Sequence, residues 1–329
     1  MESRMIVDKL DVVALGKGSK HAGWLTVASR PDGGDWRLPF LCVRGRQDGP
    51  TLVVVAGVHG DEYEGVEAIP HVFGQLEAND LKGDLLMVPI CNMPAYEAIL
   101  RSSPIDGLNL ARVFPGIPDG SITHRIAASV RENLIRQADF FIDLHSGGIT
   151  YNIPTLVGYA HDEGDLGQRS LQAAKVFGAH ILWGHPLPLP KGRTISTAVG
   201  LGIPCIYTEA PGGGVARPED VACFGNGILN VMKWMDMLAG DPEPSSIDYH
   251  FVGKGNLDQV VSAPLAGYFR PKVHLLEGVT KGQLIGVIQD FFGDTIHKTY
   301  ADADGHIIML RRLHRVQVGD GLVHIATPI

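Results

Sequence analysis

Two short stretches carry side chains of the kind that hold a metal ion. In Val55-Ala-Gly-Val-His59-Gly-Asp-Glu62-Tyr-Glu-Gly65 an imidazole and a carboxylate lie three residues apart, just after the apolar run Leu52–Ala56. That run reads as a buried strand, and a strand that ends in a glycine-punctuated turn aims both side chains at one point. Phe140-Phe-Ile-Asp-Leu-His145-Ser-Gly-Gly148 has the same texture and offers a second imidazole. Two histidines and a carboxylate with an open fourth position make a catalytic zinc site. His59, Glu62 and His145 are therefore the candidate ligands of one Zn2+ ion. Such an ion lowers the pKa of its bound water to about 7 and polarises a scissile carbonyl.

Hydrolysis also needs a group that takes the proton of the attacking water and passes it to the leaving amine. A third apolar run, Ile203–Thr208, ends in Glu209-Ala-Pro-Gly-Gly-Gly214. Glu209 is the natural base, since Glu62 is committed to the metal, and the glycines let backbone approach a substrate closely. Between the first two ligand segments, Arg101-Ser-Ser-Pro-Ile-Asp-Gly and Asn109-Leu-Ala-Arg112-Val-Phe-Pro-Gly116 place two arginines in a Gly/Pro-rich stretch. Two jobs suit them: stabilising the oxyanion of a tetrahedral intermediate, and forking onto a substrate carboxylate.

These groups must be positioned by a sheet. From Leu52 onward, short apolar runs at 52–55, 85–90, 140–144, 155–158, 179–183 and 203–208 alternate with segments of helical spacing at 64–76, 121–137, 165–177 and 224–238. That alternation predicts an α/β fold with a mixed, mainly parallel sheet flanked by helices. Ligand sites in such sheets form beyond the carboxyl ends of the strands, where all the named side chains fall. Residues 1 to about 48 read as flanking antiparallel strands. Gly240-Asp-Pro-Glu-Pro-Ser-Ser246 reads as a linker. Short β-like pieces from about residue 258 to the end, with no helical period left, predict a small C-terminal all-β barrel-like module. The expected division is 1–245 for the zinc-dependent catalytic domain and 246–329 for the β module.

The 329 residues are 45% hydrophobic and 19% charged, the profile of a globular chain with a sizeable core. A net charge of −8 with no Lys/Arg block argues against a nucleic-acid-binding protein. The four cysteines are scattered and form no C-x-x-C pair, so they read as small buried hydrophobes in a reducing compartment. No signal-peptide core and no run of about 20 apolar residues is present, so no membrane partner is expected and the reading is cytoplasmic.

Each reading has a plainer rival. An isolated His at a strand end is usually a surface or satisfied core residue; the company of Glu62 and His145 is what favours a metal. Arg112 has Asp106 as a rival structural partner. Asn92 before Met-Pro suits a turn. Asp61 and Asp143 are placed to hold an imidazole N–H behind the ligands. His21, His71, His124, His161, His180 and His185 read as surface or packing residues. Lys191-Gly-Arg193-Thr-Ile-Ser-Thr197 is a Pro/Gly-rich loop placed to contact substrate, and Trp24, Trp36, Trp183 and Trp234 read as core or interface.

Taken together, Gly57-Val-His-Gly-Asp-Glu62, Asn92-Met-Pro94, Asn109-Leu-Ala-Arg-Val-Phe-Pro-Gly116, Asp143-Leu-His-Ser-Gly147 and Glu209-Ala-Pro-Gly-Gly213 resemble the succinylglutamate desuccinylase/aspartoacylase family, a branch of the zinc carboxypeptidase-like enzymes. The 101–107 segment looks most like the Nα-acetyl-diaminobutyrate deacetylases of that family. The resemblance implies His59, Glu62 and His145 as zinc ligands, Glu209 as general base and acid, Arg101 near the reacting carbonyl and Arg112 near the substrate carboxylate. Where the family usually has Asn-Arg, this chain has Ala111-Arg112. Either Asn109 supplies the missing amide from two positions away, which would place it among the substrate-binding residues, or the substrate differs. Segments 279–286 and 316–323 resemble the glycine turns of biotinyl/lipoyl barrels, but Ala301–His306 holds no acceptor lysine, which implies a structural flap at the site's mouth.

The function expected is zinc-dependent hydrolysis of the amide bond of a small N-acyl amino acid, of acetyl-diaminobutyrate or succinyl/aspartoyl type. The rivals are a metallocarboxypeptidase on short peptides and a non-catalytic metal-containing binding or carrier protein. Self-association is left open.

Overall fold

The computed structural model describes residues 4–253 and 260–329. Its first part runs β1 (Met5–Val7), β2 (Ser19–Ser29), β3 (Asp35–Arg44), β4 (Gln47–Val55), α1 (Glu64–Gln75), β5 (Lys82–Val88), α2 (Met93–Ala98), α3 (Ile122–Asn133) and β6 (Phe140–Leu144). It continues with β7 (Tyr151–Asn152), β8 (Leu156–His161), α4 (Asp165–Phe177), β9 (Ile181–Pro186), α5 (Thr194–Gly200), β10 (Cys205–Glu209), α6 (Pro218–Trp234) and β11 (Tyr249–Val252). Ten of these strands form one sheet in the order β1-β2-β3-β5-β4-β6-β10-β8-β9-β11. Its centre, β5-β4-β6-β10, is parallel, and β2-β3-β5 and β10-β8 are antiparallel pairings. This is the α/β fold with a mainly parallel sheet that the sequence predicts.

The continuous apolar runs go to the middle of that sheet because both of its faces are covered. Alternate residues of β4 show it. Leu52 and Val54 pack with Ala68, Ile69 and Val72 of α1, Phe177 of α4 and Phe224 and Ile228 of α6. Val53 and Val55 pack on the other side with Ile126 and Val130 of α3 and Ile195 and Ala198 of α5. The helices are thus two outer layers, and their apolar stripes are what the 3.6-residue spacing detects.

Three boundaries differ from the sequence reading. Helix α6 starts at Pro218 rather than Phe224, because Pro sits in its first turn with Glu219 and Asp220 beside it, all favourable at a helix N-terminus. The 121–137 segment breaks at Leu134 into a separate turn of 3-10 helix, Ile135–Gln137. Strand β11 lies beyond the Gly240–Ser246 segment, yet it pairs with β9 and so extends the large sheet past residue 245. The expected start of the C-terminal module, near residue 258, lies outside the described residues.

After residue 260 come β12 (Val261–Ser262), β13 (Gly267–Pro271), β14 (Gly278–Val279), β15 (Leu284–Gln289), β16 (Thr295–Tyr300), β17 (Gly305–Arg311), β18 (Arg315–Val316) and β19 (Gly321–Ala326). They form two small sheets, β12-β19-β17-β14 and β16-β15-β13-β18, around a core that includes Phe269, Ile285, Ile307 and Leu322. Several contacts fasten this module to the rest. Strand β7 pairs with β17, and Ile308 and Met309 pack with Leu156, Trp183 and Phe251 of the large sheet.

Candidate active site

The turn after β4 is held from below by the next strand. Asn92 N–H donates to Gly57 O, and the Asn92 amide donates to Val58 O while its oxygen caps α2 at Ala95. Gly60 has no room for a side chain, since a Cβ there would lie 2.1 Å from the Ala95 carbonyl carbon. The contact with α2 therefore fixes the turn and, with it, His59 and Glu62 on either side. Asn92 serves as the turn and cap residue that the sequence suggested. On the neighbouring strand end, His145 N–H donates to Thr208 O of β10, and Ser146 N–H donates to Glu62 Oε2.

Glu62 is the hub. Its Oε1 lies 2.7 Å from His59 Nδ1 and accepts from Arg101 Nη1 at 2.9 Å, and its Oε2 lies 2.9 Å from His145 Nδ1. One ligand atom from each of His59, Glu62 and His145 falls within 4.8 Å of the others. The far nitrogens are tied down. His145 Nε2 donates to Asp143 Oδ2 at 2.9 Å, and that oxygen also accepts the Thr194 hydroxyl. His59 Nε2 lies 3.1 Å from Asn109 Oδ1. Ala111 N–H donates to that same Asn109 oxygen, which fixes it as an acceptor, so His59 Nε2 carries the proton.

The electrostatics follow. Burial lowers the His59 pKa to about 4, and Arg101 adds to the effect, so the ring is neutral near pH 7. A neutral ring protonated on Nε2 leaves a lone pair on Nδ1, facing the Glu62 carboxylate at 2.7 Å. A proton on Nδ1 or a divalent cation between the two atoms satisfies that contact, and the donor set decides whether a metal fits. This is the test the site passes for a divalent metal: the donor set is His₂Glu, both Nδ1 atoms converge, and both Nε2 atoms are held as metal-ligating histidines require. Burial opposes the charged form of Glu62, but His59 and His145 outweigh it and hold the carboxyl well below its usual range. Burial likewise opposes a charged His145, but Asp143 and Glu62 raise its pKa well above normal. Without a metal, a proton on His145 takes up part of the role of the cation.

Glu209 ends β10 beside His145, with which it shares one cleft. Its Oε2 is shut off from solvent and meets no hydrogen-bond partner among the described residues. Burial, then the nearby Glu62 charge, push its pKa up to about 8. The glycine loop after it is anchored by Gly212 N–H donating to Glu64 Oε1, which ties it to the first turn of α1. Arg101 and Arg112 also line the cleft, and a bridge between Phe114 and Gly192 brings the Arg112 loop against the Arg193 loop.

Asp106 accepts from Thr123 N–H and Oγ1. Asp61 accepts from Ile149 N–H rather than from an imidazole. Asn109 is turned toward His59, and its oxygen lies against His59 Nε2 and accepts the Ala111 N–H. Ala111 itself lines the cleft with a methyl group.

The sequence reading missed the far wall of the cleft: Trp183, His185, Tyr207 and His324, with Ile308 and Met309. The available signal was strand alternation. Tyr207 lies two residues before Glu209 and His185 two after Trp183, so each pair shares a face. His185, taken as a surface or packing residue, is buried in this wall.

Replacing Asp143 by Asn leaves a hydrogen-bond acceptor of similar shape but removes the charge that orients His145. The expected outcome is a loss of about 10–100-fold in affinity for a divalent ion, read by competition with a chromophoric chelator.

A mainly parallel sheet with a buried His–Glu–His cluster at its carboxyl edge that could hold a metal ion, a carboxylate beside it and arginines lining the cleft is the arrangement of a deacylase. Residues 48–235 match the succinylglutamate desuccinylase/aspartoacylase catalytic domain, and the chain belongs to that family. It is 33% identical over 316 residues to the N-alpha-acetyl-L-2,4-diaminobutyric acid deacetylase of Halomonas elongata, an alignment that covers 94% of this chain and 92% of the relative. Among solved structures, the succinylglutamate desuccinylase/aspartoacylase of Rhodobacter sphaeroides superposes with a TM-score of 0.88 at 29% identity, covering 99% of each chain. The product-bound ectoine utilization protein EutE (DoeB) of Ruegeria pomeroyi superposes with a TM-score of 0.85 at 28% identity, covering 95% of this chain and 97% of that one. Among the described residues no helix is long and apolar enough to cross a membrane.

Proposed function

We propose that this chain hydrolyses the amide bond of a small N-acyl amino acid, using one zinc ion held by His59 Nδ1, the Glu62 carboxylate and His145 Nδ1. The observation that carries the reading is the convergence of one ligand atom each from His59, Glu62 and His145 within 4.8 Å of one another, with both Nε2 atoms held from behind. When bound, zinc supplies a Lewis acid for the amide carbonyl and brings the pKa of a water to about 7.

The protein's own groups do the rest. Asp143 and Asn109 hold the two imidazoles in the tautomer that presents Nδ1. Arg101, already hydrogen-bonded to Glu62, turns its guanidinium to the cleft and donates to the oxygen that gains charge as the carbonyl is attacked. Glu209 takes the proton from the attacking water and gives it to the leaving amine nitrogen. Its raised pKa suits both halves of that transfer, because a base poised near neutral pH accepts and releases a proton with small cost. Arg112 binds the substrate carboxylate and holds the scissile bond in place.

The test is a panel of acetyl-, succinyl- and formyl-amino acids beside dipeptides, assayed with protein stripped of metal and reconstituted. Metal-dependent release of free amine from an acyl-amino acid is the expected result. Faster turnover of dipeptides would place the chain with the carboxypeptidases instead, and turnover indifferent to metal would sink the proposal.

A further inference from the structure

The carboxylate proposed as the base is followed by a stretch that cannot hold its own shape. In Glu209-Ala-Pro-Gly-Gly-Gly214 the three glycines have φ of +64°, +97° and +75°, the left-handed region, and carry no side chain to pack. The course of this loop is set from outside. Gly147 N–H donates to Ala210 O at 2.9 Å, Gly212 N–H to Glu64 Oε1 at 3.1 Å and Gly213 N–H to Gly148 O at 2.7 Å. These partners belong to the segments that carry Glu62 and His145, so the loop after the base is laced to the turns of the proposed metal ligands.

A further hold comes from the C-terminal module. Arg312 directly follows β17, and its N–H donates to Thr150 O at 2.8 Å, which seats its backbone on the chain that follows His145. Its Nη2 then donates to Pro211 O at 2.9 Å and to Asn152 Oδ1 at 3.2 Å. The guanidinium rests so close to Gly213 that a Cβ there would lie 3.1 Å from Cζ. Glu64, which accepts the Gly212 N–H, also attracts the Arg312 charge. One side chain of the module thus touches the loop at Pro211 and Gly213, two and four residues past Glu209.

This grip bears on catalysis because proton transfer depends on distance. Glu209 ends β10, so its backbone is fixed on one side by the pairing of β10 with β6 and β8 and on the other by the loop. A shift of about 1 Å in a catalytic group can cost about 100-fold in rate. The proposed metal ligands are held by other contacts. Gly60 packed on α2 fixes the turn of His59 and Glu62, and Thr208 and Asp143 fix His145.

We propose that Arg312 is a positioning residue for the base: through the Pro211 carbonyl and the bare backbone of Gly213, it makes the C-terminal module hold Glu209 in its working place. This rests on the deacylase reading above, in which Glu209 moves the proton. The experiment compares reconstituted wild type with Arg312→Met and Arg312→Lys, each assayed below its own melting transition. Arg312→Met is expected to lower kcat about 10–100-fold, with KM and zinc affinity, the latter read by chelator competition, at their wild-type values. Arg312→Lys keeps the charge and a single donor group, and is expected to recover part of that loss. Wild-type kcat in Arg312→Met would overturn the proposal. A fall in zinc affinity alongside kcat would overturn it too, since the arginine would then serve the fold of the whole site. Should Arg312→Met not fold, Arg312→Lys decides: a lower kcat supports the clamp and wild-type kcat removes it.

Hydrogen exchange separates this idea from the reading beneath it. The Gly212 and Gly213 amides are held by Glu64 and Gly148. In Arg312→Met a peptide spanning 209–214 is expected to exchange about tenfold faster, the size of one lost charge-assisted hydrogen bond, with the amides of β19 unchanged. Faster exchange in a chain that hydrolyses none of the acyl-amino acids keeps the clamp and sinks the deacylase reading. Hydrolysis by the wild type, with exchange and kcat unmoved in the variant, does the reverse.

Discussion

Glu209→Gln is expected to lower kcat by about 10²–10⁴-fold, the usual contribution of a positioned acid–base group, while zinc content stays at the wild-type level. The amide keeps the shape of the carboxylate but cannot take the proton of the attacking water. A second readout separates this from mere damage. The Glu209 carboxyl is pushed up to about 8 in the folded protein, first by burial and then by Glu62. An acid whose folded pKa is raised destabilises the native state once the pH exceeds its unfolded value, near 4.3, and the penalty grows until the pH reaches the folded value. Removing the group should therefore stabilise the metal-free protein, by about 1–3 kcal/mol at pH 7 if the penalty is that of one unsatisfied buried group, and hardly at all at pH 4. Thermal melts at the two pH values, beside the kinetics, give the check. A variant that loses both activity and stability would mean that Glu209 serves the fold; one that keeps wild-type turnover would mean that the base lies elsewhere.

The other large effect is at the hub. Glu62→Gln removes the one charge on which His59, His145 and Arg101 converge. Zinc bound per chain, measured by mass spectrometry of the metal after dialysis, should fall from about one to near zero, and turnover should fall with it, because a three-ligand site has no spare donor. Wild-type protein stripped with a chelator should regain activity when zinc returns, and the variant should not. Added zinc should also raise the melting temperature of the wild type alone, since a ligand present at about 100 times its Kd stabilises the state that binds it by about 2.7 kcal/mol. Full zinc occupancy in Glu62→Gln would remove the carboxylate from the ligand set and with it the proposed chemistry. The folded state needs a separate check. Breaking a buried charged network by removing one partner costs about 3–5 kcal/mol, so the variant is to be assayed below its own melting transition.

Parts of this molecule were legible from one residue to the next. Apolar runs such as Leu52–Val55 and Phe140–Leu144 have one stable home, the middle of a sheet covered on both faces, and the polar groups that follow them must emerge at its carboxyl edge. That is a local argument: it depends on a strand's own composition and on the turn after it. The helices facing the sheet were legible for the same reason, except where a proline and two acids started α6 earlier than its apolar stripe suggested.

What the tertiary structure alone decided is the company each side chain keeps. Asn109 sits in a stretch that suggested a substrate contact, and the fold adds a second task, since its oxygen accepts the Ala111 amide and lies against His59. The far wall of the cleft joins residues from 183 to 324, and no spacing in the chain links them. They meet because β8 enters between β10 and β9 and carries a glycine at the level where Tyr207 needs room, and because β19 of the C-terminal module brings His324 onto Trp183. Strand order and the docking of one sheet on another come from summing many weak packing contacts across the whole molecule, so no short window of sequence carries them. The amino-acid sequence by itself set the chemistry of the strand ends; the order in which the strands lie side by side set the shape of the cleft that chemistry serves.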